Sequence, residues 1–334
     1  MRLTKVQTIQ IILHENSSPL GAAFESREFS EELDRLCRVE WHYGAVEAVR
    51  AKMLRVHKNR CTFDLAIETS EGLYPMIGKV HDVDRSDVFQ AMQHVVHAGF
   101  GSDAEFTITR PLVYLYQSHI LLEEKVQGIS GKETLLKGGP SEQKVVAERC
   151  GGWLARFHKE APGLGAFIGP REQLLSHKKW NDAIGKSGEP LADKCEQLLQ
   201  QLEGAAPAAS TIAARAGHGS YMPDHVLSNG SRTIVIDFDE HDSADPARDL
   251  STFVVSLKRL GLKQMNSLQA FDQVAKQFLD TYASRGPPKV LENLSFYKAA
   301  LFLHKAQRDL YKWTPPFRER AEIMLDEGFR ALTN

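Results

Sequence analysis

The chain has 334 residues, 42% hydrophobic and 25% charged, which is the composition of an ordinary globular protein about two domains long. Lys and Arg number 41 against 43 Asp and Glu, the formal net charge is -2, and no long basic block marks a nucleic-acid-binding stripe. The apolar run Ile11, Ile12 and Leu13 is broken at His14, and no unbroken apolar stretch reaches membrane-spanning length. Cys37, Cys61, Cys150 and Cys195 lie too far apart for a C-x-x-C pair, which argues against a disulfide framework or a cysteine-based zinc site. The expectation is a cytoplasmic protein with buried free thiols, no membrane segment and no nucleic-acid partner.

In chain order, residues 1–45 read as an extension with a helix around Phe29 to Cys37, packed on the lobe that follows. From Val46 to Glu124 the pattern is strand-rich. Phe63, Leu65 and Ile67 alternate with polar residues, the period of a half-buried strand, and the turn Thr69 to Gly72 predicts a hairpin with a four- or five-residue connection into Leu73 to His81. Val88, Met92, Val95 and Val96 share one helical face, and Gly99 is placed to end that helix. Two short strands follow, Leu112 to Leu115 and Ile120 to Glu124.

Past Gly128 the character becomes helical. Val146, Cys150, Trp153, Leu154 and Phe157 form one stripe, and 268–282, 291–310 and 318–332 repeat that spacing. A short apolar run, Ile234 to Ile236, ends in Asp237-Phe238-Asp239. The fold class expected is α+β: a small antiparallel-sheet lobe with one helix over 46–128, a larger mainly helical lobe over 129–334, and a cleft between them.

The stretch most informative about chemistry is His218 to Asp249, where a polar loop and a short hydrophobic strand precede six carboxylates within Asp237 to Asp249. A hard divalent cation needs carboxylates at such a strand end, and Mg²⁺ sites in phosphoryl-transfer enzymes use one or two of them with phosphate oxygens and water. Asp237 and Asp239 are therefore candidate metal ligands.

The run His-Gly-x-x-x-Pro-x-x-Val-Leu, then Ile-Asp-Phe-Asp, then Asp-Pro-Ala-Arg-Asp-Leu resembles the aminoglycoside phosphotransferase and choline kinase group, small-molecule relatives of the protein kinases. The resemblance implies a two-lobed protein-kinase-like fold and ATP-dependent phosphoryl transfer to a small-molecule hydroxyl. It also implies ATP with Mg²⁺ or Mn²⁺, Asp237 as a metal ligand, and Asp245 to Asp249 as a brace for the loop. That group's loop usually reads H-G-D-x-x-x-x-N, but here Ser220 replaces the Asp that positions the acceptor and His225 replaces the metal-holding Asn. Losing a general base commonly costs about 10²- to 10⁴-fold, so Asp224 is the candidate to act in place of Ser220. His225 offers a nitrogen, which suits Mn²⁺ or Zn²⁺ better than Mg²⁺.

In the first lobe, the resemblance makes Lys79 the lysine that reaches the nucleotide phosphates. Its helical glutamate partner has become Gln90, a neutral amide that supplies no charge. The turn His57 to Arg60 has no glycine to admit phosphate against backbone, so Lys58 or Arg60 would use its side chain. Leu121 to Gly128, with Glu124 in it, looks like the segment whose backbone binds adenine. These departures leave two readings, a phosphotransferase with a relocated base and a kinase-like binding module that has lost catalysis. For the acceptor, an aminoglycoside would call on Glu319, Glu322, Asp326 and Glu327, and choline on an aromatic cage drawn from Phe296, Tyr297, Phe302 and Trp313.

Overall fold

The computed structural model describes residues 10–14 and 23–333. It divides into two compact units, Met1–Gln127 and Gly128–Asn334.

The first unit runs β1 (Gln10–His14), α1 (Arg27–Arg35), β2 (Val46–Val56), β3 (Arg60–Thr69), β4 (Gly72–His81), α2 (Ser86–Val95), β5 (Phe106–Ile108), β6 (Pro111–Leu115) and β7 (Ile120–Glu124). Six strands form one sheet in the order β1-β2-β3-β4-β7-β6, with β1 parallel to β2 and the other pairs antiparallel. Along β3, Cys61, Phe63, Leu65 and Ile67 are buried and alternate with the half-buried Thr62, Asp64 and Ala66, so the period seen in the sequence sets which face meets the core. That face packs against Phe24 and against Phe29 and Leu33 of α1, with the Phe24 ring edge-on to Phe29 at 5.2 Å and to Phe63 at 4.8 Å. Thr69 is registered opposite Gly72, so Ser70 and Glu71 alone connect β3 to β4; the hairpin is tighter than the four- or five-residue turn expected.

The second unit runs β8 (Ile129–Ser130), α3 (Gly131–Lys137), α4 (Pro140–Glu160), α5 (Pro170–Lys186), α6 (Ala192–Ala205), β9 (Arg215–Gly217), β10 (Val226–Asn229), β11 (Arg232–Val235), β12 (Asp242–Ala244), α7 (Ala247–Met265), α8 (Asp272–Arg285), α9 (Leu294–Tyr311) and α10 (Arg318–Thr333). Helix α4 starts at Pro140, where a missing N–H costs nothing, and the Glu142 carboxylate accepts from Gly139 N–H at 2.8 Å. Its predicted stripe is buried, and Trp153 and Phe157 stack at 4.9 Å. Helices α4 and α8 lie close enough that a Cβ on Gly151 would come within 2.6 Å of the Phe278 carbonyl oxygen. The architecture is that of the two-lobed kinase-like fold, a sheet lobe followed by a larger helical lobe. All four cysteines are buried and free, and no helix among the described residues is long and apolar enough to cross a membrane.

Candidate active site

In the second unit the loop from His218 to His225 joins β9 to β10 and is held from beneath by one buried carboxylate. Asp249, in the first turn of α7, accepts the backbone N–H of His218 at 2.7 Å and of Gly219 at 2.9 Å. His158 of α4 lies 3.3 Å from the same carboxylate; because a carboxylate only accepts, its Nε2 carries the proton and Nδ1 faces the Tyr282 hydroxyl at 2.8 Å. Burial opposes ionisation of Asp249. The His158 hydrogen bond and the charges of His158, Arg248 and His218 outweigh it and hold the carboxyl down at about 2. Gly219 is required at the bend: its φ is +77°, and a Cβ there would lie 1.8 Å from the Glu240 carbonyl oxygen.

His218 is fully buried. Its Nε2–H donates to the Ile236 carbonyl at 3.1 Å, which leaves Nδ1 to accept from the Ser220 N–H at 3.4 Å. Burial pushes its pKa down to about 4, so at neutral pH it is an uncharged strut. Beneath it Tyr221 donates its hydroxyl to the Cys150 carbonyl at 2.9 Å, and its ring stacks on Trp153 at 5.5 Å. Phe238, between the two acidic residues of the Asp-Phe-Asp run, anchors the strand end by packing edge-on to Trp153 and Phe157.

The loop brings together some of the sequence-predicted residues and separates others. Ser220 Oγ sits 3.4 Å from His218 Nδ1 and 3.5 Å from the Asp237 carbonyl oxygen. Asp237 adopts a left-handed backbone, φ 69°, which Asp tolerates better than most residues, and its carboxylate lies 3.5 Å from His225 Nε2. Asp239 is buried, and no three His, Cys, Asp or Glu side chains gather as a metal cluster among the described residues. Of the three expected ligands, His225 and Asp237 lie side by side. One carboxylate is still enough for Mg²⁺ when phosphate oxygens and water complete the shell, and the imidazole adds a ligand suited to Mn²⁺. Asp224 is half-exposed and ion-paired with Lys132 at 3.0 Å, so it carries a cationic partner that sequence reasoning missed.

In the first unit Lys79 is buried on β4, and its Nζ lies 3.0 Å from Glu123 Oε1 on the neighbouring β7. The expected partner Gln90 is exposed on α2, so the carboxylate beside the lysine comes from the sheet instead of the helix. A Lys-Glu pair so thoroughly desolvated forms at a cost, and it holds the ammonium firmly. Arg60 is half-buried at the start of β3, and Lys58 is exposed in the turn before it. Glu124 N–H donates to the Arg110 carbonyl at 2.9 Å and its carbonyl accepts from the Thr109 hydroxyl at 2.8 Å. That backbone is engaged within its own unit.

The acceptor candidates drawn from charge and aromatic content do not assemble. Glu322 and Asp326 share Lys194, Glu327 is held by Lys258 and Arg330, and Glu319 is exposed. Phe296, Tyr297 and Phe302 are core residues and Trp313 is exposed, so they form no cage.

A profile of the phosphotransferase enzyme family matches residues 82–292. Among solved structures, a choline kinase from Cryptosporidium parvum is similar with a TM-score of 0.63 at 10% identity, over 91% of this chain and 95% of the other. A choline/ethanolamine kinase family protein from Mesorhizobium loti matches with a TM-score of 0.55 at 13% identity, over 92% and 95%. A spectinomycin phosphotransferase in complex with ADP and spectinomycin matches with a TM-score of 0.57 at 14% identity, over 90% and 98%. At such identities the likeness is one of fold. No curated protein matches the chain.

Proposed function

We propose, from the premise that this chain belongs to the phosphotransferase enzyme family, that it transfers the terminal phosphoryl group of ATP to a hydroxyl of a small molecule. The observation that carries this reading is the braced loop: Asp249 holds His218 and Gly219, while Asp237 and His225 stand 3.5 Å apart on the same strand-loop junction. Phosphoryl transfer through a loose transition state depends chiefly on position and charge neutralisation, so a rigid loop retains much of its value after losing the usual base.

Asp237 and His225 would hold Mg²⁺ or Mn²⁺, which, when bound, neutralises charge on the phosphate oxygens. Lys79, with Nζ 3.0 Å from Glu123, is the first unit's cation for the nucleotide phosphates. Ser220 hydrogen-bonds the acceptor hydroxyl and orients it. Asp224 is the carboxylate available to take the proton, with Lys132 3.0 Å away to position it.

The test is ADP release by the full chain with Mg²⁺ or Mn²⁺ against a panel of hydroxylated small molecules, for wild type and Asp237→Ala. The reading predicts metal-dependent release, faster with Mn²⁺, that falls by about 100-fold or more in the variant. Release independent of metal, or unchanged in Asp237→Ala, contradicts it.

A further inference from the structure

A pocket of about 220 Å³ in the second unit opens beside the braced loop, which contributes Met222, Pro223 and Asp224 to its wall. The rest of the wall comes from α3, α7, α9 and α10 and is basic: Lys132, Arg259, Lys263, Lys305, Arg308 and Arg320 face one lining carboxylate, Asp224. Buried Asp309 lies behind two of them, gripped by Arg259 at 2.8 and 3.1 Å and by Arg320 at 2.8 and 2.9 Å. Both guanidinium groups are thereby fixed in orientation, and their remaining N–H groups are left for another acceptor.

Lys305 supplies a second, independent observation. It projects from α9 into this pocket and makes no hydrogen bond or ion pair among the described residues. Burial and the charges of Arg259 and Arg308 push its pKa down to about 8, against the pull of Asp309. A cation held at such a disadvantage in a wall of like charge is what an incoming anion would relieve. The same wall repels a quaternary ammonium or a polyamine.

Resting on the phosphotransferase reading for the identity of the site, we propose that this pocket is the acceptor subsite and that the acceptor is a small hydroxylated anion, its carboxylate or phosphate seated on Lys305, Arg259 and Arg308. The acceptor hydroxyl is then presented to the loop carrying Ser220 and Asp224.

The test is calorimetric titration of the full chain with inorganic phosphate, glycerol 3-phosphate, glycerate and choline, each with and without a saturating non-hydrolysable ATP analogue and Mg²⁺. The variants are Lys305→Met, which conserves volume, and Arg308→Gln, whose side chain is exposed and whose folding is not at issue. Loss of one charge-assisted hydrogen bond predicts anion binding weakened by about 10- to 100-fold in each variant, with choline not binding. Tighter glycerate than phosphate identifies a carboxylate acceptor, and tighter glycerol 3-phosphate a phosphate ester. Anion binding equal in wild type and both variants, no binding of any of the three anions, or binding of choline overturns the inference. Nucleotide binding is read separately in the same titrations. Anion binding without any binding of the nucleotide leaves an anion site in this pocket while removing the phosphotransferase reading, and nucleotide binding without anion binding does the reverse.

Discussion

At the scale of single residues, His218 and Asp249 make the loop sensitive to acid in a defined direction. His218 has a folded pKa of about 4 against an ordinary value of 6.5, so its contribution is present above pH 6.5 and is lost as pH falls toward 4. That difference amounts to roughly 3 kcal/mol. Asp249, held at about 2 against 3.8, adds stability above pH 3.8 that is lost as pH falls toward 2. In His218→Gln the side-chain amide can still donate to the Ile236 carbonyl but cannot be protonated. Urea unfolding of this variant between pH 7 and 4 is predicted to give lower stability at pH 7 and a shallower fall than wild type, with the other buried histidines, among them His81, supplying the remaining slope. An unchanged slope would remove His218 as a neutral strut. The replacements at Ser220 and His225 were legible in the sequence because they fall inside a spaced motif. The Lys79 partner was not, because Glu123 reaches it across two strands that are neighbours only in the folded sheet.

At the scale of elements, the local periods carried the reading a long way. The alternation of β3 and the stripe of α4 each depend on neighbours within a few residues, and both appear as expected. Helices α3, α5, α6 and α7 escaped it. α5 carries three Lys and a thin apolar stripe, and α7 begins inside the acidic run, whose carboxylates precede Leu250, Phe253, Val254 and Leu257. The loop's rigidity is likewise a property of elements, since α4 supplies His158, α7 supplies Asp249 and α8 supplies Tyr282. Gly151→Ala would force α4 and α8 apart, because its Cβ would meet the Phe278 carbonyl at 2.6 Å and Thr281 Cβ at 3.1 Å. Overpacking of this kind typically costs about 1–3 kcal/mol, more than the gain of about 1 kcal/mol that alanine brings to a helix. A lowered urea midpoint is the expected result, and a raised one would mean that the two helices separate without loss.

At the scale of the whole molecule, bulk charge concealed the feature most telling about the substrate. A net charge of -2 gives no hint of six cations lining one pocket, because they arrive from α3, α7, α9 and α10, segments far apart in the chain. The family could be read from a contiguous motif, whereas the basic pocket proposed for the acceptor required the fold. The carboxylates and aromatic residues that the sequence offered for a cationic acceptor lie in ion pairs, in the core or on the surface, while Asp224 sits among lysines and arginines. The central claim, a nucleotide site that depends on Asp237, needs no acceptor to test. Thermal unfolding of wild type and Asp237→Ala should be compared with ATP, each with Mg²⁺ and with Mn²⁺. Ligand at about 100 times its dissociation constant stabilises by roughly 2.7 kcal/mol, a shift of several degrees. The account predicts that shift in wild type with either metal and its loss in Asp237→Ala; no shift in wild type, or an equal shift in the variant, would contradict it.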